Sequence, residues 1–357
     1  MLLSPSLVHF FEKTNLCAGV FLNGFLMYLV GHHSHIGFGI YRNLLMSFAT
    51  YDMFLSMLHM IMNPKTINVG TTFSVVSYSP IEHRYFSSIF CASFTVSFSI
   101  VNIHFLYRYW TVSKPAMLEY FKNFRFIIVL LLYIAADELT CYFRYTHLTI
   151  PAGTAGAAAV KEVFLEKYND TVQGGWLIVD YYQNGNGVDP TAFSFFLSGV
   201  AKMLLSLSTA SLLAGLTYAK ILEARDKSFN FQAIQLAFLK TVIAQSAVPI
   251  LFVYIPYFVV IFMPLMGWES SEVASYFPLM TSFFPALDAI VIITMIRDYR
   301  EATMKMLCFG RGKTEPLGLD KTAWSSNSDA QSQATLVTTV GTSVIESANR
   351  EKYRDKY

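Results

Sequence analysis

Four carboxylic acids and one amine stand inside stretches that are otherwise built for lipid: Asp52, Asp137, Glu138, Asp288 and Lys202. An Asp or Lys at the centre of a membrane helix costs roughly 2.5–3.5 kcal/mol to insert, so each requires a partner, a proton or water. Asp52 comes ten residues after Arg42, and Asp288 nine before Arg297, which puts both at similar depth from one membrane face. Two carboxylates brought together cannot both ionise without a cation or a shared proton. Asp52, Ser56 and His59 fall at i, i+4 and i+7, a stripe that turns toward the interior of a bundle. The expectation is a polar switch, holding water or sodium, formed by Asp52 and Asp288. The alternative is separate hydrogen bonding of each carboxyl to nearby hydroxyls.

Lys202 shares a stripe with Ser198, Ser206 and Thr209 and is expected to face inward. Either it pairs with Asp137 or Glu138 on the adjacent helix, or it lines a ligand cavity. Ser93, Ser97, His104 and Arg108 run along one face of another span, whose outer part carries Phe90 and Phe94. The candidate ligand pocket is therefore Phe90, Phe94, Ser97, Ser198 and Lys202, suited to a small, largely apolar compound. Serine in such a helix also serves simply as interhelical packing. His59 and His104 read as hydrogen-bonded core histidines, because no third ligand at convincing spacing makes a metal site.

These residues need a membrane around them. The 357-residue chain is 54% hydrophobic, 16% aromatic and only 14% charged, too apolar for a water-soluble domain of this size. Its formal charge of +2 and the lack of a long basic run give no reason to expect nucleic acid. Apolar runs long enough to span, about 20 residues, fall near 8–31, 43–63, 86–109, 125–145, 192–219, 236–264 and 273–296. In lipid such stretches are helices that satisfy their own backbone. The fold class expected is an all-α membrane protein, a seven-transmembrane helix bundle occupying 1–308, followed by a disordered cytoplasmic tail at 309–357. Pro249, Pro256 and Pro264 should bend the sixth span.

Lys and Arg cluster on one side, in the connections around Arg42, Arg108–Arg125, Lys220–Lys240 and Arg297–Lys313, whereas Lys13, Lys65, Arg84, Arg144, Lys161 and Lys167 are sparse on the other. By the positive-inside rule the amino terminus lies outside and the carboxyl terminus is cytoplasmic. The large loop at 144–192 is then extracellular, irregular apart from a short helix around 157–168, and it contains the sequon at Asn169, a glycosylation candidate. Cys17, Cys91, Cys141 and Cys308 show no CxxC spacing, so neither a zinc site nor a disulfide framework is expected. Cys308, near Lys305 and Arg311, is a palmitoylation candidate or a plain free thiol.

Several segments resemble one family in combination. Gly39-Ile40-Tyr41-Arg42-Asn43-Leu44-Leu45-Met46 leads into the second span, and His104-Phe105-Leu106-Tyr107-Arg108-Tyr109 ends the third. Gln245-Ser246-Ala247-Val248-Pro249, Tyr254-Ile255-Pro256, Phe284-Pro285-Ala286-Leu287-Asp288 and Ile296-Arg297-Asp298-Tyr299-Arg300 mark the last two. Over roughly residues 15–305 the chain resembles the nematode serpentine chemoreceptors of the Str superfamily, seven-helix G-protein-coupled receptors. The resemblance implies a plasma-membrane protein of chemosensory neurons, often ciliary, that detects small environmental chemicals and activates a heterotrimeric G protein. It also implies that Tyr107, Arg108 and Tyr109 stand where rhodopsin-like receptors carry Asp-Arg-Tyr, with the acidic member absent. A snorkelling interfacial arginine is the other reading. Ala289 departs from the proline usual after the aspartate.

The partners expected are a small-molecule ligand, a heterotrimeric G protein and membrane lipid, with a receptor oligomer left open; no cofactor is expected. A transporter or ligand-gated channel is the rival reading, opposed by the lack of an inverted repeat. An enzyme is not expected, because neither aspartate lies in a recognisable catalytic motif, and no lysine in the seventh span serves a retinal Schiff base.

Overall fold

Hydrocarbon offers no water to bare N–H and C=O groups, so each apolar stretch of this chain closes its own backbone bonds as a helix. The computed structural model describes residues 4–34, 39–149, 155–182, 187–223, 229–268 and 270–308. The chain divides into a unit Met1–Met306 and a second unit Leu307–Tyr357. The tail expected from 309 onward lies outside the described residues.

Seven helical stretches are long and apolar enough to cross a membrane: Ser6–His32, Gly39–Met62, Arg84–Ser113, Phe124–His147, Pro190–Glu223, Gln232–Leu265 and Ser271–Met295. No end expected from the sequence is more than four residues from these. In element terms they are α1 (Pro5–His32), α2 (Gly39–Met62), α3 (Arg84–Ser113), α4 (Phe124–His147), α6 (Pro190–Glu223), the broken sixth span of α7 (Phe229–Pro249) and α8 (Ile255–Leu265), and α9 (Ser271–Met295). Two shorter helices, α5 (Ala155–Tyr168) and α10 (Arg297–Cys308), accompany them.

The starts follow local chemistry. Ser4 Oγ accepts from the Leu7 amide and Pro5 opens α1, while the Asp189 carboxylate accepts from the amides of Thr191 and Ala192 ahead of α6. These are side-chain caps for orphan N–H groups, with proline where its missing donor is harmless. The sixth span keeps its path through two prolines by a π-helical segment, Ile250–Tyr254, between Pro249 and Pro256. Each proline removes one backbone donor, and the wider turn absorbs the mismatch.

In α3, 72% of the apolar window is buried, against 6% in α4 and in α6. The third helix is therefore the axis of the bundle, packed on α2, α4, α6 and α7, while α4 and α6 leave most of their apolar surface uncovered by the chain. The first helix packs chiefly on α9 and α2.

One feature was not expected from the sequence. A three-stranded antiparallel sheet closes one end of the bundle: β1 (Pro64–Val69), β2 (Thr72–Ser77) and β3 (Trp176–Asp180), in the order β1-β2-β3. The β1–β2 hairpin turns on Gly70-Thr71, with Gly70 at φ 53°, a left-handed value that glycine adopts without strain. Alternation divides the sheet. Phe73, Val75, Leu177 and Val179 face the bundle, and Ile67, Val76, Trp176 and Ile178 pack under α5 against Ala157, Val160 and Phe164. The loop expected to be irregular apart from a short helix thus supplies a strand as well as α5, and both faces of the sheet are covered.

Candidate functional site

The sheet roofs a cavity sunk between the spans. β1 and β2 contribute Pro64, Thr66, Phe73 and Val75, and α3 contributes Phe90, Phe94 and Phe98. Arg144 comes from α4, Lys202 from α6, Tyr254 and Tyr257 from the sixth span, and Phe277 from α9. About 80 Å³ is open to the centre of a water molecule. Since roughly 10–15 Å³ on that measure holds one water, the space suits a small organic molecule. Phe98 and Tyr254 stack at 3.6 Å between centroids, which forms part of the floor.

Of the pocket residues expected from the sequence, Phe90, Phe94 and Lys202 line this cavity. Ser97 and Ser198 do not. Ser97 is wholly buried in the axial helix with no partner for its hydroxyl, and Ser198 lies exposed in a shallow groove between α4 and α6, donating to the Phe195 carbonyl at 3.1 Å. A stripe drawn at whole turns drifts around a long helix, and four residues before Lys202 it has already left the cavity wall. Lys202 lines the cavity, and its ammonium contacts the Asp137 carboxylate and donates to the Asp137 carbonyl at 3.1 Å. Asp137 also accepts from Ser99 at 2.8 Å, and Glu138 accepts from Ser93 at 3.3 Å.

Deeper in the bundle, Asp52 on α2 and Asp288 on α9 are 1% and 0% exposed, and their carboxyl oxygens make no hydrogen bond among the described residues. None of the ion pairs among the described residues includes either one. Ser56 and His59 are buried on the same stripe as Asp52. The junction is tight. A Cβ on Gly19 of α1 would meet Ser56 Oγ at 2.7 Å, and Asn23 donates to the Pro285 carbonyl at 2.8 Å.

At the end away from the sheet, Arg108 is 4% exposed. Its guanidinium carbon lies 3.6 Å from the Tyr41 ring centroid and 4.1 Å from that of Phe238, on α2 and α7. Tyr107 is buried beside it and stacks on Tyr41 at 5.8 Å, whereas Tyr109 is half-buried. The guanidinium is thus enclosed by aromatic faces inside the bundle. His104 sits nearby with Nε2 3.3 Å from the Leu44 carbonyl.

At the sheet end a second cluster ties α1 to the hairpin. Glu12 Oε1 is 2.9 Å from His59 Nε2, and its Oε2 is 3.4 Å from Lys65 Nζ. All three side chains are buried, and Lys65 also donates to Asn63 Oδ1 at 2.9 Å. Burial pushes the Lys65 ammonium below its ordinary range, with Glu12 pulling the other way. Outside the sheet, Tyr78 donates to Asp170 Oδ2 at 2.6 Å, which holds that carboxyl below the usual range.

Asn169 is exposed just past α5, at φ 51°, the left-handed conformation common where a helix ends. Cys308 closes α10, and its side chain lies outside the described residues. Among the described residues, no group of three or more His, Cys, Asp or Glu side chains is arranged to hold a metal ion.

Sequence reasoning missed Arg144, Thr66 and Tyr257 as cavity residues. Arg144 was counted as a loop charge, yet Asp137, Cys141 and Arg144 stand at i, i+4 and i+7, a spacing that carries it onto the same inward stripe.

Seven membrane-length helices around an axial third one, with a cavity at one end and a caged arginine at the other, define a multi-pass protein of the seven-helix receptor class. Residues 8–304 match the family model described as serpentine type 7TM GPCR chemoreceptor Str, and the chain belongs to that family. It is 26% identical to serpentine receptor class r-10 of Caenorhabditis elegans over 282 residues, covering 76% of this chain and 82% of that protein. It is 24% identical to serpentine receptor class r-10 of Caenorhabditis briggsae, with 76% and 82% covered. Its identity to G-protein coupled receptor str-33 of Caenorhabditis elegans is 22% over 304 residues, with 80% and 86% covered. This is a family of chemoreceptors and not an enzyme class.

Proposed function

We propose that this protein is a plasma-membrane chemosensory receptor of a nematode neuron, placed in the cilium. A small environmental chemical enters the cavity beneath the sheet, and the opposite end engages a heterotrimeric G protein. The amino terminus and the sheet face outward, and the Arg108 end and the tail are cytoplasmic. Supporting this orientation, the connections at the Arg108 end hold most of the Lys and Arg. Asn169 then faces the exterior and is open to glycosylation, and Cys308, cytoplasmic in this orientation, is a candidate for palmitoylation.

The single observation that carries the reading is the shared use of two helices. The axial helix α3 carries both cavity residues (Phe90, Phe94) and Arg108, and the sixth span carries both Tyr254 and Phe238. A ligand that binds better when these helices separate shifts an existing equilibrium by its differential affinity. The π segment between Pro249 and Pro256 provides the joint about which the far half of the sixth span moves. The buried pair Asp52 and Asp288 is the polar switch between the states, through a shared proton or a bound sodium ion.

The test is a screen of volatile and water-soluble small molecules on cells expressing the full chain with a promiscuous G protein and a calcium readout. Ligand-dependent calcium release at verified surface expression is expected. Ligand-gated current in a bilayer free of G protein, without calcium signalling in cells, would favour the channel reading.

A further inference from the structure

Arg144 brings a positive charge to the cavity wall, and among the described residues no carboxylate meets it there. Its Nη1 donates to the Phe195 carbonyl at 3.0 Å and its Nη2 to the Tyr257 hydroxyl at 2.9 Å, both neutral acceptors. A guanidinium has five N–H donors. Its Nε is enclosed and has no partner. None of the ion pairs among the described residues includes Arg144. Tyr145 and Phe195 hold the guanidinium between their rings, at 4.4 and 4.3 Å from its carbon, so its plane is fixed in advance.

The contrast with Lys202 decides what this means. That second cation on the wall is matched by Asp137, so it adds no net charge to the space. Arg144 therefore leaves the cavity with one uncompensated positive charge. A partly buried charge without a counterion is unfavourable, and a ligand that brings the counterion lowers that penalty. The Thr66 hydroxyl on β1, which also lines the cavity, is buried without a partner among the described residues. The remaining wall is apolar and aromatic, with Phe90, Phe94 and Phe98 on α3.

We infer that the cavity recognises a small monocarboxylate, its anionic head on the free edge of Arg144 and the Thr66 hydroxyl, its short apolar body among Phe90, Phe94 and Phe98. The forked donor geometry of arginine suits a carboxylate, and one unmatched charge selects a monoanion over a dianion. The space limits the body to a few carbons or one ring. This deepens the receptor reading, because it rests on the cavity being the ligand site, and it replaces a merely apolar ligand with an amphipathic one.

The test is direct binding to the purified full chain in lipid nanodiscs, with isovalerate and benzoate as probes beside their methyl esters, at neutral pH where the acids are ionised. The acids are expected to bind saturably and at least about tenfold more tightly than the esters. Arg144→Gln should weaken the acids by roughly 30-fold or more, the scale of a truncated charge pair, and leave the esters unaffected. Arg144→Lys should be intermediate, and Thr66→Val should weaken the acids several-fold.

Esters binding as tightly as acids, no saturable acid binding, or full acid affinity in a folded Arg144→Gln protein would each overturn the inference. If Arg144→Gln does not fold, the acid and ester comparison on the natural chain decides alone. Acid binding without any G-protein response would sink the receptor reading and leave the site standing. Neutral compounds that signal through the cavity while acids do not bind would do the reverse.

Discussion

The guanidinium carbon of Arg108 lies 3.6 Å from the centroid of the Tyr41 ring. The sequence has Tyr107 ahead of Arg108, and under the proposed signalling role the resting state is locked by these aromatic faces. A desolvated cation–π contact contributes up to about 2 kcal/mol, and each 1.4 kcal/mol is about tenfold in an equilibrium. Tyr41→Ala should therefore raise basal signalling several-fold at matched surface expression, whereas Tyr41→Phe, which keeps the ring, should stay near the natural level. Unchanged basal activity in Tyr41→Ala would remove the lock.

The Asp52 and Asp288 pair predicts an ion dependence. Replacing external sodium by an impermeant organic cation should shift the agonist concentration for half response in the natural chain and leave Asp52→Asn and Asp288→Asn unshifted. Equal shifts in all three proteins would return the pair to separate hydrogen bonding.

Glu12 faces three basic side chains, the buried His59 and Lys65 and the more exposed His9. Removing the one anion leaves Lys65 uncompensated, and breaking a buried pair in this way costs about 3–5 kcal/mol. Glu12→Gln should lower the melting temperature of the purified protein by several degrees. A pH effect follows from Lys65. Its folded value lies below the ordinary 10.5, so between the two the unfolded chain binds more protons, and stability should rise with pH across that window. A flat or falling stability there would contradict the burial of the ammonium.

The spans were legible because a membrane demands long apolar runs, and Asp52, Arg108 and Lys202 were legible because charge inside such runs is costly. The sheet was not. Thr66-Ile67-Asn68-Val69 and Thr72-Phe73-Ser74-Val75 do alternate polar and apolar residues, but over only four positions each, the shortest run that signals a strand. Their β-branched content around Gly70-Thr71 was the available hairpin signal. Arg144 escaped notice because a charge near a helix end reads as loop until its helical spacing from Asp137 is counted. Ser198 misled for the opposite reason, since spacing alone places a residue on a stripe and not on a cavity wall.

The π segment carries a prediction about motion. Pro256→Ala restores a backbone donor and should favour a straighter, stiffer sixth span. The variant should reach the surface and bind ligand, yet signal with a lower maximal response. A full maximal response would show that the bend is not the moving joint.

Nucleotide exchange on a purified heterotrimeric G protein, driven by this chain alone in nanodiscs, joins the two ends of the bundle in one measurement. Adding a compound that elicits calcium release in cells should accelerate exchange in the natural protein, and a bulky Phe94→Trp change in the cavity should abolish the acceleration while basal exchange persists. Exchange that is indifferent to both the compound and the cavity change would contradict the coupling of cavity to Arg108.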